Sequence, residues 1–180
     1  MRSVLVAAIL WLVPLGGPAA SGDGIGRAPS AAELRAIDIS VAPDGTGLLP
    51  GRGSSREGEA LYRSLCAACH GARGEGTRDF APLVGGLRSL RTEHPLLTVG
   101  SYWPYATTLW DYIRRAMPYF SPGTLETDQV YALTAFILHA NGIIPAEAVM
   151  TEKTLPGVEM PNRHGFVGDP RPDVGRRASP

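Results

Sequence analysis

The chain has 180 residues, 44% of them hydrophobic, with 17 basic against 17 acidic side chains. That length fits one domain with appended segments, and a formal charge of zero offers no excess of basic groups to a nucleic acid or to an anionic membrane surface. Two cysteines in the whole sequence exclude a disulfide-dense scaffold.

Met1-Arg2-Ser3, the apolar run from Val4 to Leu15 and the small residues Gly16, Gly17, Ala19 and Ala20 form the pattern of a secretory signal peptide. The run falls short of the roughly 20 apolar residues of a spanning helix. Residues 1–21 are therefore expected to be removed between Ala19 and Gly22, leaving an exported, periplasmic chain with no stable membrane anchor; an uncleaved anchor is the alternative. A lone Arg2, with no twin-arginine pair, points to export of an unfolded chain.

Residues 22–54 are rich in Gly, Pro and Ser and read as an extended N-terminal arm, with one short helix over Ala31 to Ile37 behind Ser30 as N-cap. The compact unit spans 55–142. Its first helix runs from Arg56 to Cys66, with Ala60, Leu61 and Leu65 near one face. Six glycines from Gly71 to Gly100, with Pro82 and Pro95, predict a long loop. A second helix over Pro104 to Ala116 places Leu109, Tyr112, Ile113 and Ala116 on one face and Asp111, Arg114 and Arg115 elsewhere, and Pro118 stops it. A third starts at Thr127 as N-cap, passes Val130, Tyr131, Leu133, Phe136 and Ile137, and ends near Ala140 ahead of Gly142. Residues 143–180 are Pro-rich and predict an extended C-terminal tail with no packed core. No repeat or sheet-like alternation appears, so the fold class is all-α.

Cys66-Ala67-Ala68-Cys69-His70 is a Cys-x-x-Cys-His motif, the attachment signature of c-type haem. The two thiols add across the haem vinyl groups, and the adjacent imidazole of His70 is placed beneath the iron. A disulfide or a zinc half-site is the bland alternative. A helical unit of about 90 residues is small for a self-sufficient core, so one covalent haem would be its centre.

The opposite axial ligand is sought among four methionines, since a thioether favours the ferrous state and raises the potential. Met1 leaves with the signal, Met150 lies in a polar segment and Met160 in the tail. Met117 ends the second helix just before Pro118 and is the first choice, with Met160 and His139 as alternatives and core packing as its plain role. His94, His139 and His164 otherwise read as ordinary polar residues. A backbone carbonyl near Pro82 is the expected acceptor for the second N–H of His70. Trp103 and Tyr105, with Trp110 and Tyr112, are candidates for the haem edge and propionates, and one of Arg88, Arg91, Arg114 and Arg115 for pairing with a propionate. Ordinary core or surface roles stand beside each.

Three helices, with Cys-x-x-Cys-His closing the first and Met117-Pro118 before the last, resemble the class I cytochrome c domain. Gly58 and Tyr62 match the positions at which that family's first helix crosses its last, here against Tyr131 and Phe136. Pro82, twelve positions after His70, also fits the pattern. Three longer stretches, Ile39 to Leu48, Gly100 to Pro118 and Met160 to Arg163, resemble SoxD-type cytochromes, the haem subunits that accompany a molybdenum subunit in sulfite or sulfane dehydrogenases. The resemblance implies haem c with its iron on Cys66, Cys69, His70 and Met117, electrons arriving from a molybdopterin-containing dehydrogenase subunit and leaving to another c-type cytochrome, and no substrate transformed by the chain itself. Better-known SoxD proteins carry a second haem domain, whereas this sequence has one motif. A freely diffusing carrier and a haem enzyme with an open iron position are the alternatives. Arm and tail read as segments that wrap a partner, or else as linkers.

Overall fold

Two serines that each stand three residues before a glutamate decide where the first two helices begin. In both cases the serine hydroxyl accepts from the glutamate N–H while the carboxylate accepts from the serine N–H, a closed capping box. A computed structural model describes residues 26–169 and Arg171; the expected signal peptide lies outside the described residues. The chain divides into two units, 1–38 and 39–180.

In the first unit Ser30 and Glu33 start helix α1, Ala31–Ile37, as expected, and Arg27 also binds the Glu33 carboxylate. This helix buries none of its residues.

The second unit contains strand β1 (Arg52–Ser54), helices α2 (Ser55–Leu65), α3 (Ala67–His70), α4 (Ala106–Ala116) and α5 (Thr127–Ala140), and strand β2 (Val149–Thr151). Short 3-10 turns lie at Ser89–Arg91 and Leu155–Gly157. Among the described residues none forms a helix long and apolar enough to cross a membrane.

Helix α5 is the hub. It packs on α2, α4 and both strands, which is why it is apolar nearly all round, with Val130 to Ala135, Ile137 and Leu138 buried. Glu126, paired with Gln129, caps its start one residue ahead of the expected Thr127, and Asn141 followed by left-handed Gly142 ends it. Where α2 crosses it, Tyr62 lies on Phe136 with ring centroids 4.8 Å apart.

Two helix faces differ from what periodicity alone predicts, although on α2 Gly58 and Tyr62 meet α5 at Phe136 as the family resemblance implied. On α2 the buried row is Ser55, Gly58 and Tyr62, spaced i, i+3, i+7, because the crossing demands a small residue at its centre; Leu65 is left 44% exposed. On α4 the buried set is Ala106, Thr107, Leu109, Trp110, Asp111 and Ile113, while Tyr112 is exposed. Asp111 can face inward because the Arg115 guanidinium, one turn on, donates to its carboxylate through Nε (2.9 Å) and a terminal nitrogen.

The flanks also pack more closely than expected. β1 and β2 form an antiparallel ribbon with Gly53 opposite Met150, and Ile144, Met150, Leu155, Val158 and Met160 are buried. On the N-terminal side Val41 and Leu48 pack against the same core. The Tyr131 hydroxyl donates to the Leu49 carbonyl (2.8 Å), and the Arg52 N–H donates to Asp128 (2.8 Å). The expectation of a coreless tail is thus corrected for residues 143–160. A three-residue strand shows no alternation, and prolines between the apolar residues hide their common destination.

Candidate haem site

The Cys-x-x-Cys-His run is a single turn hung from one carbonyl. Cys66 closes α2 through its N–H to Tyr62, and its own carbonyl then accepts from both Cys69 N–H (3.1 Å) and His70 N–H (2.9 Å). This gathers two thiols and an imidazole onto α3 and its N-cap residue, Cys66. Gly71, with φ of 81°, breaks the helix at once. The Tyr62 hydroxyl donates to the Gly71 carbonyl (2.9 Å) and Gly76 N–H to the His70 carbonyl (2.8 Å), pinning the turn from two sides.

The two cysteines form no disulfide, and both are half-buried. Before haem is attached, burial, reinforced by Cys69, pushes the Cys66 thiol up to about 11, so the unattached group is a neutral thiol at neutral pH. His70 Nδ1 is buried with no hydrogen-bond partner. The expected carbonyl near Pro82 does not reach it, because the chain there turns against Gly76, where a Cβ would meet the Pro82 nitrogen at 2.8 Å. Instead Phe80 stands edge-on to the imidazole, 6.2 Å between centroids.

The three methionines within the described residues differ in their surroundings. Met150 and Met160 are sealed in the core, Met160 being 1% exposed, which corrects its placement in an open tail. Met117 caps α4 in extended conformation, its N–H on the Ile113 carbonyl (3.1 Å), and is half-buried against the cluster that also receives Cys66, Ala67, Leu83 and Trp103. It is the one thioether of the three not enclosed by protein. His139 Nδ1 is engaged with the Ile144 carbonyl at 3.2 Å.

The aromatic and basic candidates also separate. Trp103 is half-buried and edge-on to Tyr112. Tyr105 lies beneath the Arg163 guanidinium, 4.6 Å from its ring centroid. Trp110 is wholly buried against Tyr131, its Nε1 without a partner. Arg115 is committed to Asp111, and Arg114 lies over Trp110 and donates to the Ile39 carbonyl. Among the described residues Arg88 and Arg91 form no ion pair, and they line a groove of about 740 Å³ with Leu87, Leu90, Ser101, Pro161 and Asn162.

Buried polar atoms are rarely left unpaired, and the two side-chain atoms that are among the described residues, His70 Nδ1 and Trp110 Nε1, belong to the aromatic set from which a haem site is expected. Leu65 and Phe80 leave apolar surface beside the motif. No cluster of three or more His, Cys, Asp or Glu able to hold a bare ion occurs among the described residues. Paired thiols, one imidazole, a half-open thioether and apolar walls fit a covalent haem of the class I cytochromes c. Sequence reasoning did not find Thr98, Ser101 and Asn141, buried polar residues that brace the loop beside the motif; the one signal was an asparagine directly after a helix.

Residues 53–137 match the family described as cytochrome c oxidase, cbb3-type, subunit III. The fold superposes on a chain of the crystal structure of the sulfane dehydrogenase SoxCD from Paracoccus pantotrophus with TM-score 0.75 and 41% identity, covering 88% of this chain and 80% of that one. A thiosulfate dehydrogenase from Allochromatium vinosum is 34% identical over 87 residues, 45% of this chain but 29% of that protein, so the chain spans under a third of that relative. The chain belongs to the SoxD-type class I cytochromes c. Its cofactor is accordingly haem c, covalently bound and containing iron.

Proposed function

We propose that this chain is the monohaem electron-transfer subunit of a sulfite or sulfane dehydrogenase, taking electrons from a molybdenum-containing partner and delivering them to another c-type cytochrome in the periplasm. The observation that carries this reading is the extent of the likeness to the SoxCD chain. It reaches 88% of the sequence, beyond the generic haem segment 53–137, and so takes in flanking segments that a free carrier does not need.

The haem supplies a one-electron couple. Cys66 and Cys69 would hold it through thioether bonds, and His70 and Met117 would supply ligands to its iron. The chain contributes position and potential. The turn Cys66–His70 presents three of these groups together, a thioether ligand in addition to imidazole would favour the ferrous state, and Arg88 and Arg91, which form no ion pair among the described residues, would act in the same direction on an anionic group of the haem placed between them. Trp103 and Tyr105, on the turn before α4, belong to the proposed haem surroundings. The chain itself transforms no substrate.

Co-purification from the native host tests the proposal. The expected result is a stable complex with a molybdenum subunit in which sulfite or a sulfane-sulfur donor reduces the haem. A monomer that no dehydrogenase reduces overturns it.

A further inference from the structure

The stretch from Gly71 to Gly100 has one short 3-10 turn and no other regular structure, yet it adjoins the motif, so its backbone has to be fixed by other means. Asn141, 5% exposed at the end of α5, commits its whole amide to that task. Nδ2 donates to the carbonyls of Leu83 (3.2 Å) and Ile137 (2.9 Å), and Oδ1 accepts from the Gly85 N–H (3.1 Å). The carbonyl of Gly85 is held in turn by the Thr98 hydroxyl (2.7 Å), whose oxygen accepts from the N–H groups of Gly100 and Ser101 (3.1 Å each). Gly100 admits this arrangement only because it lacks a side chain: a Cβ there would lie 2.2 Å from Asn141 Oδ1.

From Gly85 the path runs back to the motif. The N–H groups of Leu83 and Val84 both donate to the Gly74 carbonyl (2.8 and 3.0 Å), and two residues on, the Gly76 N–H donates to the His70 carbonyl (2.8 Å). Gly74 and Gly76 are both left-handed, with φ of 82° and 83°, so this turn has a defined shape that few other residues adopt. Nothing in the path is a helix or sheet ladder. Its register is set by one planar amide with three satisfied hydrogen bonds, and a fully satisfied buried network specifies a single arrangement.

We propose that Asn141 is a positioning residue for the haem: through 83–85 and 74–76 it fixes the turn that carries His70 and thereby sets how the imidazole meets the iron. This rests on the reading of His70 as the axial ligand.

The test uses the haem-loaded protein and two variants that cut the path on either side of Gly85, Asn141→Leu and Thr98→Val. Each is measured for midpoint potential, ferric EPR g values and thermal unfolding. Thr134→Val is the control, because Thr134 is equally buried in α5 but its hydroxyl donates within the helix to Val130 (2.7 Å). Asn141→Leu and Thr98→Val are expected to change the reduction equilibrium at least threefold, about 30 mV for a one-electron couple, and to move the g values. Thr134→Val should lower the Tm alone. If Asn141→Leu is not recovered with haem, Thr98→Val decides by itself. Unchanged potential and g values in the path variants, with only the Tm lowered, overturn the proposal while the His70 reading stands. A wild-type ferric spectrum without bound imidazole removes that reading and the proposal with it.

Discussion

Gly58 of α2 and Ala132 of α5 meet backbone to backbone, so closely that a Cβ on the glycine would sit 1.9 Å from the Ala132 carbonyl oxygen. No rotamer relieves that contact, since both partners are main chain. Gly58→Ala is therefore expected to push α2 off α5 and cost about 3 kcal/mol or more, at the upper end of overpacking effects. Denaturant unfolding of the haem-loaded variant measures it. A loss under 1 kcal/mol would mean that the two helices separate without strain.

Met117 and Met160 should respond to alanine in opposite ways. Met160→Ala empties a sealed core position and is expected to cost about 2–5 kcal/mol, with the visible spectrum of a six-coordinate low-spin haem retained. Met117→Ala should cost less stability but convert the iron to a high-spin form. A low-spin His/Met spectrum persisting in Met117→Ala, and lost in Met160→Ala, would transfer the ligand assignment.

Cys66 gives the haem-free protein a pH signature. Its thiol is held up to about 11, chiefly by burial, while an unfolded thiol ionises near pH 8.5. Between those values the unfolded chain has released a proton that the folded chain still holds, so stability falls as pH rises through that window and is unaffected by this group below it. Alkylation by iodoacetamide, mapped by mass spectrometry, should show Cys66 reacting slowly at pH 8 and with a midpoint near 11. Full reactivity of Cys66 at pH 8 contradicts this.

Arg88 and Arg91, unpaired on one groove, should raise the potential if an anionic edge of the haem lies between them. Replacing both with Gln is then expected to lower the midpoint potential by tens of mV, on the order of a several-fold change in the reduction equilibrium. The effect should shrink as salt is added, because exposed charges are screened. A potential that is unchanged at low ionic strength places the anionic groups elsewhere.

The covalent motif was legible in the sequence because its chemistry needs five adjacent residues, and α5 because a long apolar helix leaves few other readings. The faces of α2 and α4 were harder. Periodicity ranks residues by apolarity, so it passed over Gly58, which is buried for its smallness and which only the family resemblance placed at the crossing, and Asp111, which is buried because Arg115 follows one turn later. Asn141 was illegible for a different reason: its Gly85 partner lies 56 residues away and offers a backbone group that every residue has. Met160 was misplaced because burial of the tail depends on a ribbon too short to leave a pattern.

That ribbon has a consequence for how the unit combines with others. β1 leads directly into α2 and β2 follows α5, so the chain arrives at and departs from the helical core along neighbouring strands, about 5 Å apart. Modules whose two ends meet can be spliced into a longer polypeptide, or repeated along one, without disturbing their interior. The clasp of Arg52–Ser54 on Val149–Thr151 brings the two ends of the helical core together, and any such splice has to carry residues 39–51 and 152–160 with it, because Val41, Leu48, Leu155 and Met160 pack in the same core.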